Sequence, residues 1–163
     1  MSGLSQSRYA GVLATHREQV VLVREEYPLW GGPHWNIPSG RIEDHETPEE
    51  GASRELAEET GLIVAVADLV LVGSSSVSSP GRVSRAWNFA VAIEDPALDI
   101  QDPDGLIQDA RWFPMHTAMA LLRELPYRPL SEPAVACLSG VGPGRHWAYS
   151  NPQAEPTVTV SPC

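Results

Sequence analysis

Apolar residues recur in short β-rich segments over much of the chain, and turn-forming residues separate these segments. Residues 9–15 and 19–24 are two of them, and the three polar residues between them favour a hairpin. Residues 62–76 and 82–93 follow the same pattern on either side of the turn Ser79-Pro80-Gly81. Shorter strands are predicted at residues 35–37, 110–113 and about 146–149.

A helix is predicted to begin just after Thr47. This threonine can cap the helix, Pro48 suits its first position and Glu50 completes a capping box. Gly61 is of the residue type that commonly ends a helix. Residues 115–125 have a second helical pattern. Strands mixed with only two or three helices predict an α+β or layered α/β domain.

Length and composition indicate one compact domain over residues 1–163. Of these 163 residues, 42% are hydrophobic and 20% are charged. Residues 126–163 are rich in proline, glycine and serine, and we interpret them as a C-terminal extension that ends in a polar tail. Cys137 and Cys163 have no His or Cys partner at zinc spacing, so two reduced thiols are predicted.

The chain is strongly acidic, with 21 acidic residues against 11 basic ones and a formal net charge of −10. Such a molecule is expected to repel nucleic acid and anionic membranes. An anionic substrate would need a metal cation to offset the repulsion. The first twenty residues lack a signal-peptide pattern, and the most apolar run, residues 61–72, is too short to cross a bilayer. A soluble, cytoplasmic protein is therefore expected.

The segment from residue 40 to residue 62 contains the candidate chemistry, since eight of its side chains are acidic and two are basic. On a helical wheel, Glu55, Glu58 and Glu59 fall within an arc of about 100°. Like charges so close together cost a helix a few tenths of a kcal/mol per pair, and the chain has no lysine to pair with them. The opposite side is small and apolar and is predicted to pack on a sheet: Ala52, Leu56, Ala57 and Thr60.

A solvated acidic face is one interpretation of this helix, and a metal site is the other. The turn Pro38-Ser39-Gly40 precedes the helix and can add backbone carbonyl oxygens to the side-chain ones. Hard oxygen donors of this kind suit Mg²⁺ or Mn²⁺, with substrate phosphates completing the coordination shell. The sequence therefore favours a metal-dependent site for a phosphorylated substrate.

The order of residues in this segment resembles the Nudix box. Gly40, Glu46, Arg54-Glu55-Leu56, Glu58-Glu59 and Gly61-Leu62 all stand at the spacing that the box specifies. A chance match of this length has a probability below about one in a million. The resemblance extends over about residues 8–125, because two flanking segments are also similar to the family: residues 35–40 and 109–114.

The resemblance implies a Nudix fold, a mixed β-sheet sandwiched between helices. It also implies hydrolysis of a diphosphate bond, mostly in a nucleoside diphosphate linked to another group, with one glutamate deprotonating the attacking water. By match to the box, Mg²⁺ or Mn²⁺ would be bound by Glu55, Glu58, Glu59 and the backbone carbonyl of Ser39. Many members have two glycines where this chain has Ser39-Gly40, but a carbonyl ligand survives that difference.

The resemblance assigns further roles around these ligands. Glu46 and Arg54 would brace the loop and orient the carboxylates, and Gly61 would end the helix. Family members often use an acidic residue from outside the box as well. The candidates for that role in this chain are Glu94, Asp102, Asp104 and Asp109.

The substrate class stays open between three hypotheses. We prefer a compact, MutT-like enzyme acting on nucleoside triphosphates, since the chain begins directly at a strand without an extra N-terminal domain. A pyrophosphatase of ADP-ribose or another nucleotide sugar is the alternative. The turn at Pro80 resembles a proline-containing stretch of such relatives, although it lies farther from the box than usual. A non-catalytic domain that senses a nucleotide is the third hypothesis, which the intact box disfavours.

A few residues outside the box also have candidate roles. Arg82 and Arg85 are candidate phosphate contacts, because only arginine is available for them. Trp112 is predicted to be a core residue, whereas Trp87 lies on a strand face that suits core and pocket equally. Oligomeric state is open between monomer and homodimer. The histidines show no metal-ligand spacing and are predicted to be surface residues: His16, His34, His45, His116 and His146.

Overall fold

The computed structural model describes residues 3–141 and 143–161. In this part of the chain, the strands are β1 Ser5–His16, β2 Gln19–Tyr27, β3 Gly32–Asn36, β4 Ser39–Arg41, β5 Val70–Ser79, β6 Arg82–Ala92, β7 Ile107–Pro114, β8 Arg145–Tyr149 and β9 Thr157–Val160. The α-helices are α1 Pro48–Thr60, α2 Met115–Arg123 and α3 Arg128–Leu138. Short 3₁₀ turns occupy Pro28–Trp30 and Val66–Asp68.

The strands form one mixed sheet in the order β3-β2-β1-β6-β5-β8-β9, with β4 beside β1 and β7 beside β2. The predicted hairpin is present, but β1 and β2 pair only near their turn, where Thr15 lies opposite Val20. Farther back along β1 the partner is β4, with Ala10 opposite Gly40. Because β1 exchanges one partner for the other, β2 diverges from β1 and a gap opens beside β4.

The core has two layers, one on each face of the sheet. Val12 of β1 belongs to the cluster that packs under α1 with Leu56 and Phe89. The next residue, Leu13, belongs to the opposite cluster, which includes Leu122 of α2 and residues of α3. This alternation along β1 is what a strand buried on both faces requires. The sheet therefore lies between α1 on one face and α2 with α3 on the other, as predicted.

Two local predictions were wrong, and one helix was not predicted. Ser39 and Gly40 of the predicted turn at residues 38–40 belong to strand β4, because their backbone pairs with β1. Residues 62–69 form a loop and a 3₁₀ turn, so the strand begins only at Val70. The C-terminal extension contains α3 as well as the predicted strand β8, and the tail contains β9. Pro133 lies inside α3 and weakens its sequence signal, but burial of Ala134 against the sheet outweighs that preference.

Within the described residues, no helix combines the length and the apolar character that crossing a membrane requires. Cys137 is a free, half-buried thiol, and burial raises its pKa to about 11. The predicted thiol at Cys163 lies outside the described residues. Trp112 packs against the core cluster beneath α1, as predicted.

Candidate active site

Helix α1 begins and ends where the sequence predicts. The Thr47 side chain accepts a hydrogen bond from the backbone N–H of Glu50 at 3.1 Å, and the Glu50 side chain accepts one from the Thr47 N–H at 2.9 Å. At the other end, Gly61 has φ 77° and its N–H donates to the carbonyl of Ala57. This capping fixes the first and last turns of the helix, and with them the positions of the acidic residues.

The packing of α1 on the sheet determines which side chains can face the gap beside β4. Ala52, Leu56 and Thr60 are fully buried, as the helical wheel predicts, whereas Ala57 of the same predicted side is only half-buried. Glu59 is only 6% exposed and its carboxylate accepts a hydrogen bond from the Ser39 N–H at 3.1 Å. The acidic arc is therefore not a uniformly solvated face, because one of its carboxylates lies inside the molecule.

Strand β4 presents its backbone to these carboxylates. The ladder bonds between β1 and β4 join Val12 to Pro38 and Ile42 to Arg8, so the intervening Ser39 directs its backbone groups away from β1. Its N–H meets Glu59, and its carbonyl oxygen points to the same side of the strand.

Arg54 holds the acidic residues together. Its Nε and Nη2 atoms bind the two carboxylate oxygens of Glu46 at 2.6 and 3.0 Å. Its Nη1 atom contacts Glu55 at 2.9 Å and Glu58 at 3.3 Å, and Nη2 also donates to the Arg41 carbonyl at 2.9 Å. One guanidinium thus connects the loop before α1, the end of β4 and two carboxylates of the helix.

These elements enclose a cleft of about 550 Å³. Ser39, Gly40 and Arg54 line it, together with the loop of residues 102–107. That loop is attached to α1, since the Asp99 and Gln101 N–H groups donate to carbonyls at the C-terminus of the helix. Eight of the residues that line the cleft are acidic: Glu25, Glu43, Asp44, Glu55, Glu58, Glu59, Asp102 and Asp104.

The electrostatic environment gives the carboxylates of the site different pKa values. Burial raises the pKa of Glu59 to about 9, and the neighbouring Glu55 carboxylate adds to this rise. Burial also raises the pKa of Glu55 to about 6, although the hydrogen bond from Arg54 opposes it. Hydrogen bonds from Arg54 lower the pKa of Glu46 to about 2. Glu46 is therefore a stable anion, whereas Glu55 and Glu59 are carboxylates held close together without enough positive charge.

The candidates outside the helix divide into two groups. Asp102 and Asp104 line the cleft, whereas Glu94 and Asp109 do not. The Asp102 carboxylate accepts hydrogen bonds from three backbone N–H groups of its own turn, and Asp109 pairs with Arg111 at 2.7 Å. Asp104 is exposed at the mouth of the cleft.

Sequence reasoning missed Glu25. This residue of β2 lines the cleft, and burial raises its pKa. Its charge also contributes to the raised pKa of Glu59. Glu25 lies on the strand face of Val21 and Val23, but it is the middle one of three consecutive charged residues, so the sequence pattern did not single it out.

The two arginines considered as phosphate contacts lie elsewhere. Arg82 donates to the side chains of Ser7 and Tyr9, and Arg85 lines a separate pocket on the sheet. On the loop before α1, Glu43, His45 and Glu46 bring their ligand atoms within 4.8 Å of one another. Both oxygens of Glu46 are already bonded to Arg54, so this trio is less suited to a cation than the cleft carboxylates are.

The donor set of the cleft fits a hard divalent cation. Glu55, Glu58 and Glu59 offer carboxylate oxygens, Ser39 offers a carbonyl, and the lack of a side chain at Gly40 makes room for Glu55. A buried cluster of like charges is unfavourable by itself, and a cation would favour the charged form of each member. Arg54 cannot take the place of this cation, because its N–H groups are already shared among Glu46, Glu55, Glu58 and a backbone carbonyl.

The sequence is similar to several curated proteins. An octanoyltransferase of Myxococcus xanthus is 36% identical over 117 residues, which are 70% of this chain and 30% of that protein. An 8-oxo-dGTP diphosphatase of Proteus vulgaris is 36% identical over 61 residues, 37% of this chain and 54% of that protein. An ADP-sugar pyrophosphatase of Mus musculus is 47% identical over 53 residues, 32% of this chain and 24% of that protein. The chain thus spans only 24 to 54% of the length of these relatives.

Similarity in structure extends over more of the chain. A NUDIX hydrolase from Nitrosomonas europaea superimposes with a TM-score of 0.71 and 18% identity, covering 90% of this chain and 80% of that one. A MutT protein from Bacillus halodurans superimposes with a TM-score of 0.64 and 19% identity, covering 94% and 97%. The family model of the NUDIX domain matches residues 6–132. The predicted family and α+β fold are therefore confirmed, and this chain belongs to the NUDIX domain family.

Proposed function

We propose that this chain is a metal-dependent Nudix hydrolase that cleaves a diphosphate bond in a small, nucleotide-like substrate. The observation that carries the proposal is the contact between α1 and β4 inside an acidic cleft. There, the Glu59 carboxylate accepts a hydrogen bond from the Ser39 N–H, and the Glu55 carboxylate packs against Gly40. A strongly acidic cleft attracts cations and repels a diphosphate, so cations must accompany the substrate.

We assign the metal ligands to Glu55, Glu58, Glu59 and the Ser39 carbonyl, with Mg²⁺ or Mn²⁺ as the ion. The bound cation would supply positive charge that attracts the diphosphate and stabilises its oxygens in the transition state. Arg54 orients Glu55 and Glu58 through its contacts at 2.9 and 3.3 Å.

Acidic residues outside the metal ligands can accept the proton of the attacking water. Glu25 and Asp104 are the best placed, because both line the cleft and neither is an assigned ligand. Asp102 is less suited, since its oxygens accept hydrogen bonds from the backbone of its own turn. The other two candidates, Glu94 and Asp109, are less suited to this role, because neither residue lines the cleft.

For the substrate, we prefer a nucleoside triphosphate cleaved to a monophosphate and pyrophosphate, and an ADP-ribose-type nucleotide sugar is the second candidate. Relatives named for each kind of substrate match about a third of this chain: an 8-oxo-dGTP diphosphatase and an ADP-sugar pyrophosphatase. The residues that distinguish these substrates must lie outside the box, because the box supplies only the diphosphate chemistry.

The proposal is tested by the metal dependence of turnover and by Glu59→Gln. We expect no turnover in EDTA, recovery with Mg²⁺ or Mn²⁺, and a kcat at least about a hundredfold lower for Glu59→Gln. Glu49→Gln removes the same charge from the first turn of α1, outside the cleft, and should leave kcat unchanged. Turnover in EDTA, or equal rates for Glu59→Gln and the native chain, would refute the site.

The substrate is tested by measuring kcat/KM for nucleoside triphosphates and nucleotide sugars at fixed Mg²⁺, with the products identified. A preference of about tenfold for ADP-ribose corresponds to about 1.4 kcal/mol of transition-state stabilisation and would reverse our ranking. Tight binding of a nucleotide without turnover of any compound would instead support the non-catalytic sensor.

A further inference from the structure

A second pocket of about 240 Å³ lies on the same face of the sheet as α1, over strands β5, β6 and β8. Five side chains define it, and we call it the sheet pocket: Ser74, Ser76, Arg85, Trp87 and His146. None of the residues that line it is acidic, in contrast to the cleft. The proposed hydrolase activity uses none of these side chains.

The strand register shows where the sheet pocket lies relative to the cleft. Gly40 pairs with Ala10, Ala10 with Trp87, Trp87 with Ser74 and Ser74 with His146, so these residues form one row across five strands. Neighbouring strands are about 4.8 Å apart, which places Trp87 about 10 Å and His146 about 19 Å from Gly40 along the sheet. Ala10, between the two sites, is buried in the cluster under α1. The two sites are therefore separate.

The charges around the sheet pocket are arranged unfavourably for an empty site. Arg8 and Arg85 lie directly opposite each other on neighbouring strands, and like charges in that position destabilise a sheet. Arg8 donates to the carbonyls of Glu43 and Glu46 at 3.0 and 3.3 Å. The Arg85 side chain, by contrast, forms no ion pair or hydrogen bond within residues 3–141 and 143–161. An exposed arginine whose side chain has no partner in the described chain can bind an external anion.

His146 and two serines supply further polar groups to the sheet pocket. The Ser74 hydroxyl contacts the His146 Nδ1 atom at 2.8 Å, and the Ser76 hydroxyl contacts Nε2 at 3.1 Å. Burial and the nearby Arg85 lower the pKa of His146, which favours the neutral ring. A neutral ring donates to one serine and accepts from the other. The serine that accepts from the ring keeps its own O–H free to donate to a ligand.

We propose that the sheet pocket is a second ligand site that binds a phosphate group joined to a planar ring, as in a nucleoside monophosphate. The phosphate contacts the guanidinium of Arg85 and a serine hydroxyl, and the ring stacks on the half-buried indole of Trp87. Stacking of a base on an aromatic side chain contributes about 1–3 kcal/mol. The phosphate and the ring thus contribute separately, and each can be tested alone.

The test is a binding measurement in EDTA, where the metal-free cleft repels anions. Isothermal titration calorimetry is performed with AMP, inorganic phosphate and adenosine. We expect AMP to bind most tightly of the three. Arg85→Gln should lower the affinity for AMP and for phosphate at least about tenfold and leave the affinity for adenosine unchanged. Trp87→Leu should lower the affinity for AMP and for adenosine and leave the affinity for phosphate unchanged. Because no turnover is measured, failure of this proposal is independent of the proposed hydrolase.

Arg82→Gln is the matched control, because Arg82 lies on the same strand and contacts Ser7 and Tyr9 instead of the sheet pocket. It should leave the affinity for AMP unchanged. Arg85 is exposed, so its replacement leaves the fold intact even if Trp87→Leu does not fold. The proposal is overturned if AMP does not bind at millimolar concentrations in EDTA. It is also overturned if Arg85→Gln weakens AMP no more than Arg82→Gln does.

Discussion

The backbone of Gly40 lies directly against the carboxylate of Glu55, so a Cβ atom on residue 40 would overlap all three carboxyl atoms. Gly40 belongs to β4 and Glu55 to α1, so this contact joins strand to helix at the centre of the acidic cleft. Its φ is not positive, since the glycines with positive φ do not include it. The glycine therefore leaves the space that the Glu55 carboxylate occupies, and its role here is not one of backbone conformation.

The first prediction follows from this contact. Gly40→Ala should displace the Glu55 carboxylate and lower both Mn²⁺ affinity and kcat at least about tenfold, because a metal site tolerates little displacement of its ligands. The measurements are calorimetric titration with Mn²⁺ and steady-state kinetics. Gly3→Ala is the control, since a Cβ there meets none of the described atoms within 4 Å. Unchanged Mn²⁺ affinity in Gly40→Ala would show that Glu55 is not a ligand.

The second prediction concerns the acidic residues outside the helix. Glu25→Gln and Asp104→Asn should each lower kcat, by about ten- to a hundredfold for the residue that accepts the proton of water. Asp109→Asn is the control, because Asp109 pairs with Arg111 outside the cleft. Steady-state kinetics at saturating Mg²⁺ separates the three variants. Equal kcat values for all three would exclude both cleft residues from proton transfer.

Local chemistry made much of the site predictable. The capping box, the start of α1 and its end at Gly61 depend on neighbouring residues, and the structure contains all three. The burial of Leu56 follows from helical periodicity for the same reason. A spacing pattern can predict such features because the atoms that interact are within a few residues of each other.

Features that depend on distant segments could not be predicted in the same way. Glu59 is buried because β4 passes beside the helix, and a helical wheel contains no information on that strand. Glu25 reaches the cleft only because β2 diverges from β1 and the loop of residues 102–107 covers the gap. Helix α3 contains two prolines, and tertiary packing of Ala134 outweighs its weak local preference.

The third prediction concerns the pH dependence of stability, measured in EDTA by urea denaturation. The Glu46 side chain is 9% exposed, and its hydrogen bonds from Arg54 lower its folded pKa to about 2. A carboxylate with a lowered folded pKa stabilises the fold at pH values above the ordinary pKa of a glutamate. This stabilisation is lost as the pH falls toward 2. At pH 7, the free energy of unfolding of the native chain should be about 2 kcal/mol higher than that of Glu46→Gln.

This difference should shrink as the pH falls from about 4.5 toward 2, because the native carboxylate is then protonated. The comparison of the two proteins cancels the titration of acidic residues distant from Glu46; the charge of Glu46 makes only a minor contribution to the pKa of Glu55. Glu49→Gln, without a hydrogen-bonded partner of this kind in the described chain, should show no such pH-dependent difference. A difference between the native chain and Glu46→Gln that is constant from pH 7 to pH 3 would contradict the pairing with Arg54.

The last prediction separates two demands on Gly61. Its φ of 77° disfavours other residues, and a Cβ there would also overlap the backbone of Asp99. Gly81 has a similar φ of 73°, but none of the described atoms lies within 4 Å of its Cβ position. Gly81→Ala should therefore cost about 1–2 kcal/mol of unfolding free energy from backbone strain alone. Gly61→Ala should cost at least about 3 kcal/mol, because the Asp99 backbone must also move.

The displacement of Asp99 gives Gly61→Ala a second consequence. Asp99 and Gln101 attach the loop of residues 102–107 to the end of α1, so moving Asp99 shifts Asp102 and Asp104 at the cleft. We expect kcat to fall several-fold in Gly61→Ala at temperatures where the variant is still folded, and to stay unchanged in Gly81→Ala. Urea denaturation and steady-state kinetics on the same preparations test both effects. Equal losses of stability in the two variants would mean that the Asp99 contact contributes nothing beyond backbone strain.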